Sequence, residues 1–247
     1  MKIFVCIDDT DNLESRGTGE LASLLAHEVN KNGWGKSSYI TRHQLLIHPD
    51  VPYTSHNSSM CFSADVGEAH IETLISHAAV FLEKESAEGA DPGLCIAVAE
   101  RLERLEELMA FGLKAKQVVI TKREAYELAE QPGIHLSAHG GTGDGVIGAL
   151  AGVGLRLSGN DGRVRGGLML GPVNSVSRVC EIYAHPYVDE VRSLDGHSLQ
   201  DEEMVELGKK IKTVLLDGKA VLLVMPYQCE TNNAQWKTCP KEMLKKY

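Results

Sequence analysis

KIFVCIDDTDNLESRGTGELASLLAHEV, residues 2–29, decides the fold. KIFVCI (2–7) is apolar without polar alternation, the pattern of a strand buried on both faces. The run stops at Asp8, Asp9, Thr10 and Asp11. A helix is then expected over GELASLLAHEVNKNG (19–33). Leu21, Leu24, Leu25 and Val29 share one stripe, and Gly33 ends it.

Working outward, SSYITRHQLLIH (37–48) and SSMCFSADV (58–66) predict strands. EAHIETLISHAAVFLEKESAEG (68–89) predicts a helix, and GLCIAVA (93–99) another strand. The order β-α-β-β-α-β predicts an α+β protein with a ferredoxin-like core. Added helices are expected over 99–115 and 121–131, with a short strand KQVVI (116–120) between them. A glycine-dense stretch leads into an apolar helix at Ile147–Leu150. Beyond about residue 165, VRGGLMLG, SRVCEIYA and KAVLLVMPY predict strands, and LQDEEMVELGKKIKTVLL a helix. The domains expected are 1–170 and a smaller α/β or β-rich appendage, 171–247.

Composition narrows the function. Hydrophobic residues make up 43% and charged residues 24% of 247, as in a globular protein with its own core. No apolar run is long enough to span a bilayer and no signal peptide is seen, so a cytoplasmic location without membrane contact is expected. The net charge of −9 argues against a general nucleic-acid coat. None of the six cysteines forms a Cys-x-x-Cys pair. Cys6, Cys61 and Cys95 sit in apolar runs and read as small buried hydrophobes.

The chemistry gathers at strand and helix ends. Asp8, Asp9 and Asp11 stand at the carboxyl end of the first strand, where α/β proteins open onto ligands. Two or three carboxylates beside a phosphate suit Mg²⁺, and the same residues suit Asx-turns and caps. In RGTG (16–19), Gly17 and Gly19 allow backbone N–H groups to approach an anion at a helix start. Arg16 is a phosphate fork, and Thr18 a cap or a reactive hydroxyl. HGGTGDGVIGAL (139–150) repeats that design with Gly143 and Gly145, and His139 flanks it. PYTSHNSS (52–59) adds hydrogen-bonding groups, Asn57 among them. Lys122 or Arg16 would balance transition-state charge. Asp91, Pro92 and Gly93 read as a tight turn.

IDDTD (7–11), RG (16–17), PY (52–53), PG (92–93) and GDGVIGALA (143–151), in this order, resemble the catalytic region of archaeal tRNA-isoleucine agmatinylcytidine synthetase over residues 1–160. That family uses ATP and Mg²⁺ to phosphorylate a wobble cytidine, and agmatine then displaces the phosphate. The resemblance implies metal and phosphate ligands at Asp8, Asp9 and Asp11 and a nucleotide site at Gly143 and Gly145; catalytic roles are expected at Asp8, Asp9 and Thr18. The chain departs from the family at RGTGELA (16–22), where Glu20 stands near one of two family threonines. The family's basic loop after Pro-Tyr is replaced by TSHNSS, and its OB-type and zinc-ribbon regions have no counterpart. The expected activity is an Mg-ATP-dependent phosphotransferase or ligase-like reaction related to tRNA cytidine modification. The alternative is a nucleotide- or RNA-binding module without turnover. A nucleotide, and RNA or a small amine, are the implied partners. The oligomeric state stays open, with a dimer allowed.

Overall fold

The computed structural model describes residues 1–51, 57–228 and 233–247. The Pro-Tyr pair with Thr54–His56, and Cys229, lie outside them. The chain divides into two compact units, Met1–Ser158 and Gly159–Tyr247, a boundary earlier than 170/171.

In the first unit the elements are β1 (Lys2–Asp8), α1 (Thr18–Lys31), β2 (Gly35–Ser37), β3 (Thr41–Gln44), β4 (Ser58–Val66), α2 (Ile71–Glu85), β5 (Gly93–Val98), α3 (Leu105–Lys114), α4 (Lys122–Ala129), β6 (Ile134–Ala138) and α5 (Gly145–Ser158). The sheet runs β6-β5-β1-β4-β3, and β2 also pairs β4. β1 is antiparallel to β4 and to β5, and Ile3 to Asp8 are all buried.

Both faces of that sheet are covered, which explains the unbroken apolar run. Ile3, Val5 and Ile7 pack with Leu21, Leu25, Val29, Leu74 and Leu82 of α1 and α2. Phe4 and Cys6 pack on the other face with Leu108, Phe111, Leu150 and Val153 of α3 and α5. Strand alternation puts Asp8 on this second face, toward α5.

α5 is buried nearly all round, and its glycines are the reason it fits. A Cβ on Gly148 would lie 1.7 Å from the Asp8 carboxylate, and one on Gly152 2.4 Å from Cys6 Sγ. A Cβ on Gly154 would lie 2.0 Å from the Leu108 carbonyl oxygen of α3. These residues let the helix lie close on β1 and α3. Cys6 faces Cys61 and Cys95 across the strands, and all three are buried free thiols.

Several expected elements differ. KQVVI is a turn, not a strand. The segment after Pro132 supplies an unexpected strand, β6, on the edge of the sheet. Its Ile134 and Leu136 pack inward while His135 and Ser137 alternate outward. The strand expected over 37–48 is split into β2 and β3, and the helix expected over 68–89 is shorter, with a 3₁₀ turn at its start.

The second unit is β-rich: β7 (Arg163–Val164), β8 (Val176–Arg178), α6 (Val179–Ile182), β9 (Glu190–Ser193), β10 (Met204–Glu206), β11 (Thr213–Leu216), β12 (Lys219–Pro226) and β13 (Trp236–Thr238). β12 pairs antiparallel with β11 and β13 and parallel with β9. The helix expected over LQDEEMVELGKKIKTVLL is absent. Buried Val205 and Leu207 alternate with period 2, Gly208 interrupts the run, and β10 and β11 form instead. SRVCEIYA is strand for two residues, Ser177 and Arg178, and then turns into α6. Of VRGGLMLG only Val164 is strand, the last residue of β7. At the strand ends, buried Glu190 accepts from Arg192, Lys219 and Ser198, which hold its carboxyl down to about 2.

Candidate functional site

The end of β1 and the starts of α1 and α5 meet around one cavity of about 550 Å³ in the first unit. Asp8, Asp9 and Asp11 form one wall, and Gly17, Thr18 and Gly19 open α1 onto it. Asp144, Gly145 and Gly148 do the same for α5. Arg42, Asp50, Asn57 and Lys122 add polar groups, and Leu45, Leu46, Val51, Val118 and Val119 make an aliphatic side.

The walls are tied by backbone bonds. Leu46 donates to the Ala115 carbonyl at 3.1 Å and Leu45 to the Asn57 carbonyl at 2.9 Å. Asn57 Nδ2 donates to the Leu46 carbonyl at 2.6 Å. Thr121 begins α4 in a reciprocal cap with Glu124, so Lys122 is its first helical residue.

The carboxylates repel one another. Asp8 is only 8% exposed, and burial, then Asp9 and Asp11, push its carboxyl up to about 8. A bond from the Asp9 backbone opposes this. Burial, then Asp91, Asp11 and Asp144, push Asp9 up to about 6. Asp9 also holds a positive φ of 50°, an unusual strain for a non-glycine residue. Among the described residues, no three His, Cys, Asp or Glu side chains converge as a ready cation cage. The donor set still fits Mg²⁺, which takes one or two carboxylates and completes its shell with water and phosphate.

The residues singled out in the sequence divide into two groups. Asp8, Asp9, Asp11, Gly17, Thr18, Gly19, Asn57 and Gly145 line the cavity. Arg16, His139 and Gly143 do not. The Arg16 guanidinium turns to Glu85 of α2 at 2.5 Å. His139 follows β6 on the side of His135 and Ser137, and its ring bonds Ser137 Oγ at 2.8 Å. Gly143 is held in a positive-φ turn, with its N–H directed to Asp91 at 3.3 Å. Thr18 is not the cap of α1, because Gly17 takes that position without a side-chain bond. The Thr18 hydroxyl donates instead to Asp11 Oδ1 at 2.9 Å.

Asp91 is more than a turn residue. Its carboxylate accepts from the Thr142 hydroxyl at 2.7 Å, from the Thr142 N–H and from the Gly143 N–H. It thereby fixes the loop that delivers α5. Asp144 is the other acidic group the sequence reading passed over. Both lie far along the chain from IDDTD, and no local spacing marks them. Asp91→Ala is expected to cost about 2 kcal/mol, the order of a lost set of charge-assisted bonds. Urea denaturation would measure this, and unchanged stability with unchanged Gly143 amide protection would refute the anchoring role.

No family model matches the chain. Among curated proteins, tRNA 2-agmatinylcytidine synthetase of Pyrobaculum neutrophilum is 32% identical over 158 residues, 62% of this chain and 35% of that protein. The synthetase of Thermococcus sibiricus is 28% identical over 162 residues, 64% of this chain and 36% of that one. An uncharacterised protein of Methanocaldococcus jannaschii is 30% identical over 156 residues, covering 50% of its length. The chain thus spans a third to a half of the length of these relatives.

Solved structures agree. A complex of the synthetase with its isoleucine tRNA and ATP superposes with a TM-score of 0.53 at 28% identity, over 62% of this chain and 36% of that one. A complex with AMPCPP and agmatine gives 0.51 at 27%, over the same 62% and 36%. Sequence and fold together carry the likeness of this chain to a region of agmatinylcytidine synthetase.

Proposed function

We propose that the first unit is an Mg²⁺-ATP-dependent phosphoryl-transfer module of the kind used in tRNA cytidine modification. One observation supports this above the rest. The starts of two fourteen-residue helices, which favour anions, open onto the same cavity as Asp8, Asp9, Asp11 and Asp144. Carboxylates repel phosphate, so the two features are compatible when a divalent cation lies between them. In this reading Asp8, Asp9 and Asp11 hold the cation, which would screen the phosphate charge. Gly17 and Gly19 give phosphate room at the start of α1, the start of α5 at Gly145 adds its backbone N–H groups, and Asn57 borders the nucleotide. Asp11 orients the Thr18 hydroxyl toward the transferred group. The relatives were solved with ATP, tRNA and agmatine, and a cytidine-bearing RNA with a small amine is the substrate pair this reading assigns.

The order β5-β1-β4-β3, with α3 and α5 added on its second face, supports a ferredoxin-like reading of this sheet. The first unit carries 22 acidic and 13 basic residues. Its overall charge therefore opposes a long polyanion and leaves selection to the cavity. No helix among the described residues is long and apolar enough to cross a membrane.

Calorimetric titration of the full chain with ATP, with and without MgCl₂, tests the reading. Binding is expected with Mg²⁺, weakened tenfold or more in Asp9→Asn. No binding at millimolar ATP would overturn it. Binding without ATP consumption in the presence of tRNA and agmatine would make the unit a sensor.

A further inference from the structure

We infer that Lys122 and Asp144 form an exchangeable ion pair that gates the phosphate site, an inference that rests on the Mg-ATP reading above. Both side chains line the cavity. Lys122 Nζ donates to the Thr142 carbonyl at 2.5 Å and lies 3.3 Å from Asp144 Oδ1. Asp144 Oδ2 also lies 3.0 Å from Thr142 Oγ1, whose single proton goes to Asp91 at 2.7 Å. The pair therefore bridges the first turn of α4 to the residue before α5.

Its surroundings make the pair exchangeable. Side-chain exposure is 39% for Lys122 and 45% for Asp144, so the bond is partly screened and breaks at small cost. Asp144 is close enough to Asp9 to act on its charge. It therefore stands within the acidic group that a cation would neutralise. A phosphate entering beside α5 offers Lys122 a stronger, doubly charged partner than a single carboxylate. Asp144, released, adds one more oxygen to the acidic wall. Lys122 acts as a binding residue for phosphate, and Asp144 as its competitor when no cation is bound.

The test is a double-variant cycle on the full chain, read as dissociation constants for ATP and for inorganic tripolyphosphate, with and without MgCl₂. Lys122→Met is expected to weaken both ligands about tenfold or more, the scale of one charge-assisted bond. Asp144→Asn is expected to tighten Mg²⁺-free ATP severalfold and to reduce the gain from Mg²⁺. The tightening should largely vanish when Lys122→Met is already present, because the competitor then has nothing to hold. Additive effects of the two substitutions, or an unchanged constant in Lys122→Met, would overturn this inference while leaving the Mg-ATP reading intact. A wild-type chain that binds neither ligand would overturn both.

Discussion

Gly93→Ala is expected to destabilise the first unit by about 3 kcal/mol or more and to displace the start of α5. A methyl at Gly93 would lie 2.1 Å from the Gly145 carbonyl carbon and 2.5 Å from the Val146 nitrogen. These are backbone atoms, and they cannot turn aside as a side chain would. Overpacking that forces backbone movement costs on the order of 1–3 kcal/mol or more. The same contact seen from the helix is as tight, with a Cβ on Gly145 2.0 Å from the Asp91 carbonyl oxygen. Gly93 is also the cross-strand neighbour of Asp8, so the displacement reaches the acidic wall directly. Gly167→Ala, where the nearest atom is 3.8 Å away, is the control and should stay within about 0.5 kcal/mol of wild type. Urea denaturation followed by circular dichroism measures both. Equal midpoints would mean that β5 and α5 do not approach as described.

The second large effect is on pH. Asp8 keeps its proton up to about pH 8 in the folded chain, against an ordinary value near 4. Asp9, raised to about 6, acts in the same sense. Between these limits the unfolded chain has released protons that the folded chain still holds. Their contribution to stability is whole below about pH 4 and is lost as pH rises toward 8, at up to about 1.4 kcal/mol per pH unit per group. The metal-free protein should therefore lose stability from pH 5 to pH 8. Asp8→Asn should flatten that decline and be the more stable form at pH 8. MgCl₂ should restore wild-type stability at pH 8, because a cation stabilises the ionised carboxylates, and should act less on Asp8→Asn. Denaturant midpoints across this pH range are the measurement. Parallel profiles for the two proteins would show that Asp8 titrates normally.

The β1 run, the α1 stripe and the strand-helix order were readable because burial on one or two faces imposes a period on consecutive residues. The acidic stop at residues 8–11 and the glycines at 17 and 19 were readable for a similar reason: helix and strand ends need particular residues close together in the chain. The second unit was harder to read. Its strands are mostly three or four residues long, too short to show a period, and a helix was assigned where Val205 and Leu207 alternate.

The site shows the same division. Thr18 was legible as a hydroxyl at a helix start, while its bond to Asp11 depends on how the intervening loop closes. Arg16 and His139 carry suitable chemistry but turn away, Arg16 toward Glu85 of a distant helix and His139 toward Ser137, two residues back along the chain. Asp91 and Asp144 looked ordinary, since Asp91 gains its role from a loop fifty-one positions on and Asp144 from Lys122, twenty-two positions back in α4.

Residues 2–29 therefore established, from their order alone, a central buried strand that ends in carboxylates and feeds a glycine-led helix. What those carboxylates face was set by folding. Strand alternation aims Asp8 at one side of the sheet, but α5 comes to lie there only because Gly148 and Gly152 leave it room against β1. Gly143 and Gly145 suggested a phosphate cradle, while Gly145, Gly148, Gly152 and Gly154 serve close packing, a property of three-dimensional distance that no one-dimensional spacing records.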